Sequence, residues 1–204
     1  MSYRIEKKFV LDPRKYEAFI RYLVNLKAIK IYDKRIIFST YYDNDHFSSY
    51  RNSEEGVVPR KKLRIRSYNS YTHDVNSKFE LKISSEIDRF KKVEKFKSLS
   101  DIESILSRGF FDKTYGFCKP TINVSYERDY YTLNSCRITI DRKIKYWGHN
   151  YNKNKCEEPL NVVEFKSEID DEMNLNNNLL FNPISRFSKY CRGMNKIYFN
   201  IKNF

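Results

Sequence analysis

Charged and apolar residues alternate in several separate stretches of this chain. Arg64 and Arg66 alternate with Leu63 and Ile65, and Glu80 and Lys82 with Phe79, Leu81 and Ile83. Glu164 and Lys166 flank Phe165 after Val163, and Arg4, Glu6 and Lys8 interleave Tyr3, Ile5 and Phe9. Residues two apart share one face of a strand, so each stretch predicts a strand with a charged face and an apolar face. One such strand is an ordinary solvated surface. Four or more, each combining basic residues with a carboxylate or a second arginine, predict one concentrated surface, with the strands converging to line a cavity for a strongly anionic ligand.

The remaining elements follow from caps and breakers. Residues 2–10 read as a strand, and Asp12-Pro13 then starts a helix with an apolar stripe of Tyr16, Phe19, Ile20, Tyr22 and Leu23 up to about Leu26. Strands are expected at 34–42, 61–68, 78–84, 88–95, 121–132, 135–146 and 160–168. A short helix or loop precedes Arg51, another helix runs from Leu99 to Leu106 and ends at Gly109, and a last one spans Pro183 to Met194. Residues 52–59, 69–76, 148–159 and 174–178 read as loops. The expected fold is α+β, an antiparallel β-barrel of about eight strands with helices packed outside, forming a single domain over residues 1–204. The charged faces would point inward, the reverse of an ordinary small barrel.

Composition strengthens the ligand class. Lys and Arg total 39 against 26 Asp and Glu, giving a formal charge of +13, which favours nucleic acid, phosphates or an anionic membrane surface. With 17 Tyr, 15 Phe and only 5 Gly and 5 Pro, the chain is an ordered, strand-rich globule rather than a basic tail. Cys118, Cys136, Cys156 and Cys191 are far apart, and His46, His73 and His149 have no partner at zinc-ligand spacing. Free thiols, a start without a signal-peptide core and the lack of an apolar run of ~18 residues lead to the expectation of a cytoplasmic protein with no membrane span. No phosphate-binding glycine loop and no histidine-based nucleophile spacing is present.

The order of the motifs is more specific than any one of them. Tyr3-Arg4-Ile5-Glu6-Lys7-Lys8-Phe9 is followed by Lys62-Leu63-Arg64-Ile65-Arg66, Phe79-Glu80-Leu81-Lys82 and Arg89-Phe90-Lys91-Lys92. Tyr126-Glu127-Arg128, Arg137-Ile138-Thr139-Ile140-Asp141, Val163-Glu164-Phe165-Lys166 and Ser188-Lys189-Tyr190 complete the series. This series resembles the triphosphate tunnel metalloenzymes, and most closely the polyphosphate polymerase domain of the vacuolar transporter chaperone (VTC) family, over roughly residues 3–194.

The resemblance implies an antiparallel tunnel that binds triphosphate and a divalent metal. It implies phosphate contacts from Lys8, Arg64, Arg66, Lys82, Lys91, Arg128, Arg137, Arg186, Ser188 and Lys189. Arg64, Arg66, Lys82 and Lys189 would serve catalysis. Lys92 competes with Lys91 for one place. Glu164 matches the metal-binding glutamate, and Glu6 corresponds to a glutamate of the superfamily's E-x-E-x-K motif, whose first glutamate is replaced here by Arg4. The implied activity is polyphosphate polymerase, moving the γ-phosphate of ATP to a growing chain with Mn2+ or Mg2+. ATP and inorganic polyphosphate would be its partners, with no specific nucleic acid; a membrane-protein partner is left open. Alternatives are a tunnel-fold triphosphatase acting on inorganic, nucleoside or RNA 5′-triphosphate, a non-catalytic polyphosphate-binding domain, and generic RNA binding, which lacks the expected aromatic sheet pattern.

Overall fold

Asp12 stops the first strand and caps the first helix. Its carboxylate accepts the Lys15 amide at 2.9 Å, and Pro13 fills the first turn, where an amide hydrogen has no intrahelical partner. In the computed structural model, which describes residues 4–86, 89–149, 151–168 and 185–200, β1 spans Arg4–Leu11 and α1 Pro13–Asn25. There follow β2 (Ile29–Asp43), α2 (Ser48–Glu55), β3 (Arg60–Tyr68), β4 (Lys78–Ser84), β5 (Arg89–Lys95), α3 (Leu99–Arg108) and β6 (Phe110–Asp112). The chain continues through β7 (Gly116–Leu133), β8 (Cys136–Gly148), β9 (Tyr151–Glu157), β10 (Asn161–Glu168) and α4 (Lys189–Ile197).

The expected α+β class with an antiparallel sheet is what the chain forms. The main path of paired strands holds eight, with β6 added beside β7 and β9 beside β8. No further pairing closes this path into a ring among the described residues.

Two compact units are built from interleaved stretches: residues 1–35, 126–144 and 157–187 form the first, and 36–125, 145–156 and 188–204 the second. In the first, the strands run in the order β1-β10-β8-β7-β2. Their apolar face holds Phe9, Leu11, Ile138, Ile140, Val163 and Phe165, covered by Phe19 and Leu23 of α1. Phe165 meets both Phe9 and Phe19 edge-on, at 5.5 and 6.2 Å between ring centres, a favourable geometry for aromatic quadrupoles. The alternation read from the sequence thus puts its apolar half against a helix, as expected.

In the second unit β3, β4 and β5 follow β2 in order. Tyr42, Leu63, Ile65 and Cys118 form the core with Ile102 of α3, joined by Phe79, Leu81 and Ile105. Helix α3 begins with a reciprocal cap: Ser98 accepts the Asp101 amide and Asp101 accepts the Ser98 amide. Gly109 ends it with φ +80°, where a Cβ would run into the Cys118 carbonyl, so only glycine lets β6 start there. The 69–76 stretch, read as a loop, is pinned by His73, whose two ring nitrogens bond Thr40 (2.8 Å) and Ser67 (2.6 Å). Burial, with His149 adding to it, lowers the His73 pKa to about 4, so the ring is neutral near pH 7.

Three expectations need correction. The last helix begins at Lys189, not Pro183, because Ser188 is its N-cap and accepts the Cys191 amide, while the Ser185 amide bonds the Lys8 carbonyl instead. Residues 148–159 are not all loop: β9 lies within them, concealed by a sequence with no apolar alternation and formed by pairing with β8. Strand β2 starts five residues earlier than read, at Ile29 rather than Lys34, its first half largely exposed. The 174–178 loop and the start of the last segment fall outside the described residues.

Candidate functional site

Each unit has one strand face rich in cations, and the register of the strands builds both. In the second unit Lys62 of β3 stands opposite Lys82 of β4, which stands opposite Lys91 of β5. Arg64 lies between Glu80 and Tyr41, and Arg66 between Lys78 and Ser39. Like charges directly opposite in a sheet are destabilising, so three lysines in one row mark a surface arranged for an anion.

Glu80 is the carboxylate that holds this face together. It is almost fully buried and accepts the Arg64 guanidinium at 2.8 and 2.5 Å and the Lys91 ammonium at 2.7 Å, with Arg66 at 3.7 Å. Burial alone would raise its pKa, but Arg64 and Arg66, with Lys91, pull it down to about 2. Arg64 also donates to the Tyr41 hydroxyl at 2.8 Å. Burial pushes that hydroxyl up, and the Arg64 and Arg66 charges more than offset it, bringing it to about 8. Lys62 donates to Ser188 at 2.8 Å, at the start of α4. Gly193 lets α4 approach closely, since a Cβ there would lie 2.7 Å from Ile122 and Tyr146 side-chain atoms. The adjoining Tyr190 anchors the helix by donating to buried Asp43 at 2.5 Å.

In the first unit Glu6 stands opposite Lys166 and Lys8 opposite Glu164, and β8 continues the face with Thr139 opposite Glu164 and Arg137 opposite Lys166. Lys8 pairs with Glu6 at 2.9 Å. The Lys166 ammonium lies 2.8 Å from Glu164 and 3.7 Å from Glu6. Burial raises the Glu164 pKa, Lys166 and Lys8 lower it and Glu6 opposes them; the net direction is down. Glu164 is therefore ionised at neutral pH. Arg128 grips Asp141 through two bonds of 2.5 and 2.7 Å. Burial opposes the Arg128 charge, but Asp141 outweighs it, and the guanidinium is held above its ordinary range. Thr139 is buried, and among the described residues its hydroxyl has no hydrogen-bond partner.

Among the described residues no cluster of three His, Cys, Asp or Glu side chains forms a protein cage. Glu6 and Glu164 nevertheless converge on a single point, the Lys166 nitrogen, from two neighbouring strands. Two carboxylates that already share one cation fit a divalent cation of the kind that prefers oxygen ligands and keeps part of its shell for other oxygens.

The structure places the sequence-derived residues in two groups. Glu6, Lys8, Arg128, Arg137 and Glu164 share the face of the first unit, with exposed Arg186 in the segment that follows β10. Arg64, Arg66, Lys82 and Lys91 share the face of the second, with Ser188 and Lys189 at the α4 N-terminus. The register puts Lys91 opposite Lys82 and puts Lys92 opposite apolar Leu81, on the other side of the strand. The Arg4 side chain lies outside the described residues. The site residues implied from sequence do not include Lys62, Glu80, Tyr41, Thr139, Asp141 or Lys166, although Glu80 and Lys166 read onto charged strand faces. The alternation that identified Arg64 and Glu164 also contains Lys62, Glu80 and Lys166, so that signal was present; Tyr41 needed the β2–β3 register.

The antiparallel architecture has solved counterparts. A candidate adenylate cyclase from Bacillus halodurans is similar over 81% of each chain, with a TM-score of 0.55 and 15% identity. Another from Vibrio parahaemolyticus matches with a TM-score of 0.49 and 13% identity, covering 85% of this chain and 80% of that one. A third, from Hippeastrum and described as having a dominant triphosphatase activity, gives 0.45 at 14% identity over 82% and 80%. No curated protein matches the chain. The sequence matches the VTC domain over residues 3–198, and with nearly its whole length covered the chain belongs to the VTC domain family.

Proposed function

We propose that this chain, acting as one domain over residues 1–204, is a polyphosphate polymerase that transfers the γ-phosphate of ATP to the end of an inorganic polyphosphate chain. The observation that supports this best is the row Lys62–Lys82–Lys91 beside Arg64 and Arg66. Its charges are compensated in part by Glu80 and suit closely spaced phosphate oxyanions, which guanidinium forks grip in pairs and ammonium groups hold as point charges. Ser188 and Lys189 add the α4 N-terminus, where backbone amides favour an anion.

Phosphoryl transfer needs positioning and charge compensation more than covalent help. A chain-end phosphate oxygen attacks the γ-phosphorus of ATP, a new P–O bond forms, and the bond to the β–γ bridging oxygen breaks to release ADP. Arg64, Arg66, Lys82 and Lys189 hold the reacting phosphates and receive the charge that moves onto the leaving oxygen. Lys91 adds a further phosphate contact on the face of the second unit, and Lys8, Arg128, Arg137 and Arg186 offer phosphate contacts on the first unit. Glu164 and Glu6 would hold Mn2+ or Mg2+, which would supply positive charge to offset the charge of the phosphates. An oxyanion acceptor arrives already deprotonated, so no general base is required.

The runner-up, a triphosphatase, uses the same cations with water as the acceptor, and water benefits from a carboxylate base. Glu6, Glu80, Asp141 and Glu164 are each bound to cations of their own face, which favours transfer over hydrolysis. Incubation with ATP and manganese or magnesium separates the readings. The expected product is a polyphosphate ladder on a gel with matching ADP; stoichiometric orthophosphate with no chain longer than tripolyphosphate would make the protein a triphosphatase.

A further inference from the structure

Arg35, on β2 of the first unit, has a different environment from Arg64, Arg66 and Arg128. Arg64, Arg66 and Arg128 each pair with a carboxylate. Arg35, half-buried on β2, instead lies over two tyrosine rings, 4.5 Å from the centre of Tyr32 and 5.4 Å from that of Tyr130. The rings meet each other edge-on at 5.5 Å. Among the described residues Arg35 has no carboxylate partner.

Its location ties it to the phosphate face. Tyr130 is two residues beyond Arg128 on β7 and so shares its side of the strand. Arg128 in turn is bound to Asp141, which stands two residues from Thr139, the cross-strand neighbour of Glu164. Along β7 the Arg35 stack therefore lies ~7 Å past Arg128, at ~3.4 Å per strand residue.

A cation held by ring quadrupoles makes no ion pair there, and a guanidinium carries five N–H donors that can serve an anion. The two rings flank the Arg35 charge, which is compensated by ring quadrupoles rather than by an anion. Such a group is prepared to receive phosphate oxygens without first breaking an ion pair. Arg64 and Arg128 lack that property, since a phosphate must compete there with Glu80 or Asp141.

We propose that Arg35, held by Tyr32 and Tyr130, is an additional phosphate subsite on the face of the first unit, past Arg128, that engages the oxyanions of a long polyphosphate chain and so favours long chains. This rests on the polyphosphate reading above. Calorimetric titration of the unmodified protein, Arg35→Ala and Arg35→Lys with tripolyphosphate, ATP and a chain of tens of phosphates, at fixed ionic strength, tests it. Arg35→Ala should weaken long-chain binding about tenfold, in line with one charge-assisted contact, and leave tripolyphosphate and ATP within about twofold. Arg35→Lys keeps the charge, loses the fork, and should show a smaller loss confined to the long chain; it makes the same comparison if the alanine variant does not fold. An equal loss for tripolyphosphate, no loss for the long chain, or a loss for ATP alone, which would mark a base-stacking site, each overturns the subsite. If the unmodified protein binds neither polyanion, the polyphosphate reading falls with it; if it binds tripolyphosphate and the variants leave the long-chain preference unchanged, only the subsite falls.

Discussion

Glu80→Gln should lower the melting temperature of the ligand-free protein by about 6–12 °C, and saturating tripolyphosphate should restore most of the loss. The carboxylate is buried and binds Arg64, Arg66 and Lys91 at once, so an amide leaves three neighbouring cations without their shared anion. A pKa lowered from 4.5 to about 2 corresponds to about 3 kcal/mol. For a chain of this size each kcal/mol moves the midpoint by about 2–4 °C. A bound polyanion supplies the missing negative charge, so the variant should gain more from it than the native protein does. Because the folded pKa is the lower one, this stabilisation is fully present above pH 4.5 and is lost as the pH falls towards about 2. Scanning fluorimetry with and without tripolyphosphate checks the pair. A deficit of the same size in both conditions would mean that Glu80 supports the fold without standing in for a ligand.

Glu164→Gln should reduce metal-dependent turnover by about a hundredfold or more. Loss of a residue that merely supports a metal ligand costs about 10–100-fold, and a direct carboxylate ligand should sit at or above that range. The amide preserves shape and loses the charge that would draw a cation away from Lys166, 2.8 Å away. Tripolyphosphate binding without metal should remain within about twofold, since the cations that hold it are unchanged. Arg64→Ala should show the opposite profile, weakening that binding by about 1.5–3 kcal/mol, the value of a charge-assisted contact. Steady-state assays with each metal, beside metal-free titrations, distinguish the two. Full activity of Glu164→Gln with both manganese and magnesium would remove this residue from the metal site.

Most of the strand pattern could be read in advance because its cause is local. Alternation at Leu63–Arg66 and Phe79–Ile83 encodes which side is buried, and the register then pairs Arg64 with Glu80. The cap of α1 and the end of α3 were equally legible, since Asp12 and Gly109 act on their own neighbours. What escaped depends on distant partners. The sequence Tyr151–Glu157 has no apolar period and becomes β9 only beside β8. Pro183–Met194 has helical spacing throughout, yet the helix waits for the Ser188 cap while Ser185 bonds β1. The choice between Lys91 and Lys92 hung on a one-residue register, which a short strand of mixed charge leaves open and pairing with β4 settles. Arg35 carried no motif at all, because a stacked guanidinium is recognised only by the rings it meets.

Addition of tripolyphosphate to the unmodified protein, with sulfate at equal ionic strength as the control, tests the central claim that these faces hold a polyphosphate anion. At a hundred times the dissociation constant, binding alone contributes about 2.7 kcal/mol, which is a rise of about 5–10 °C in melting temperature. A rise of that size with tripolyphosphate and little with sulfate is the predicted result; no rise with millimolar tripolyphosphate, or an equal rise with sulfate, would contradict it.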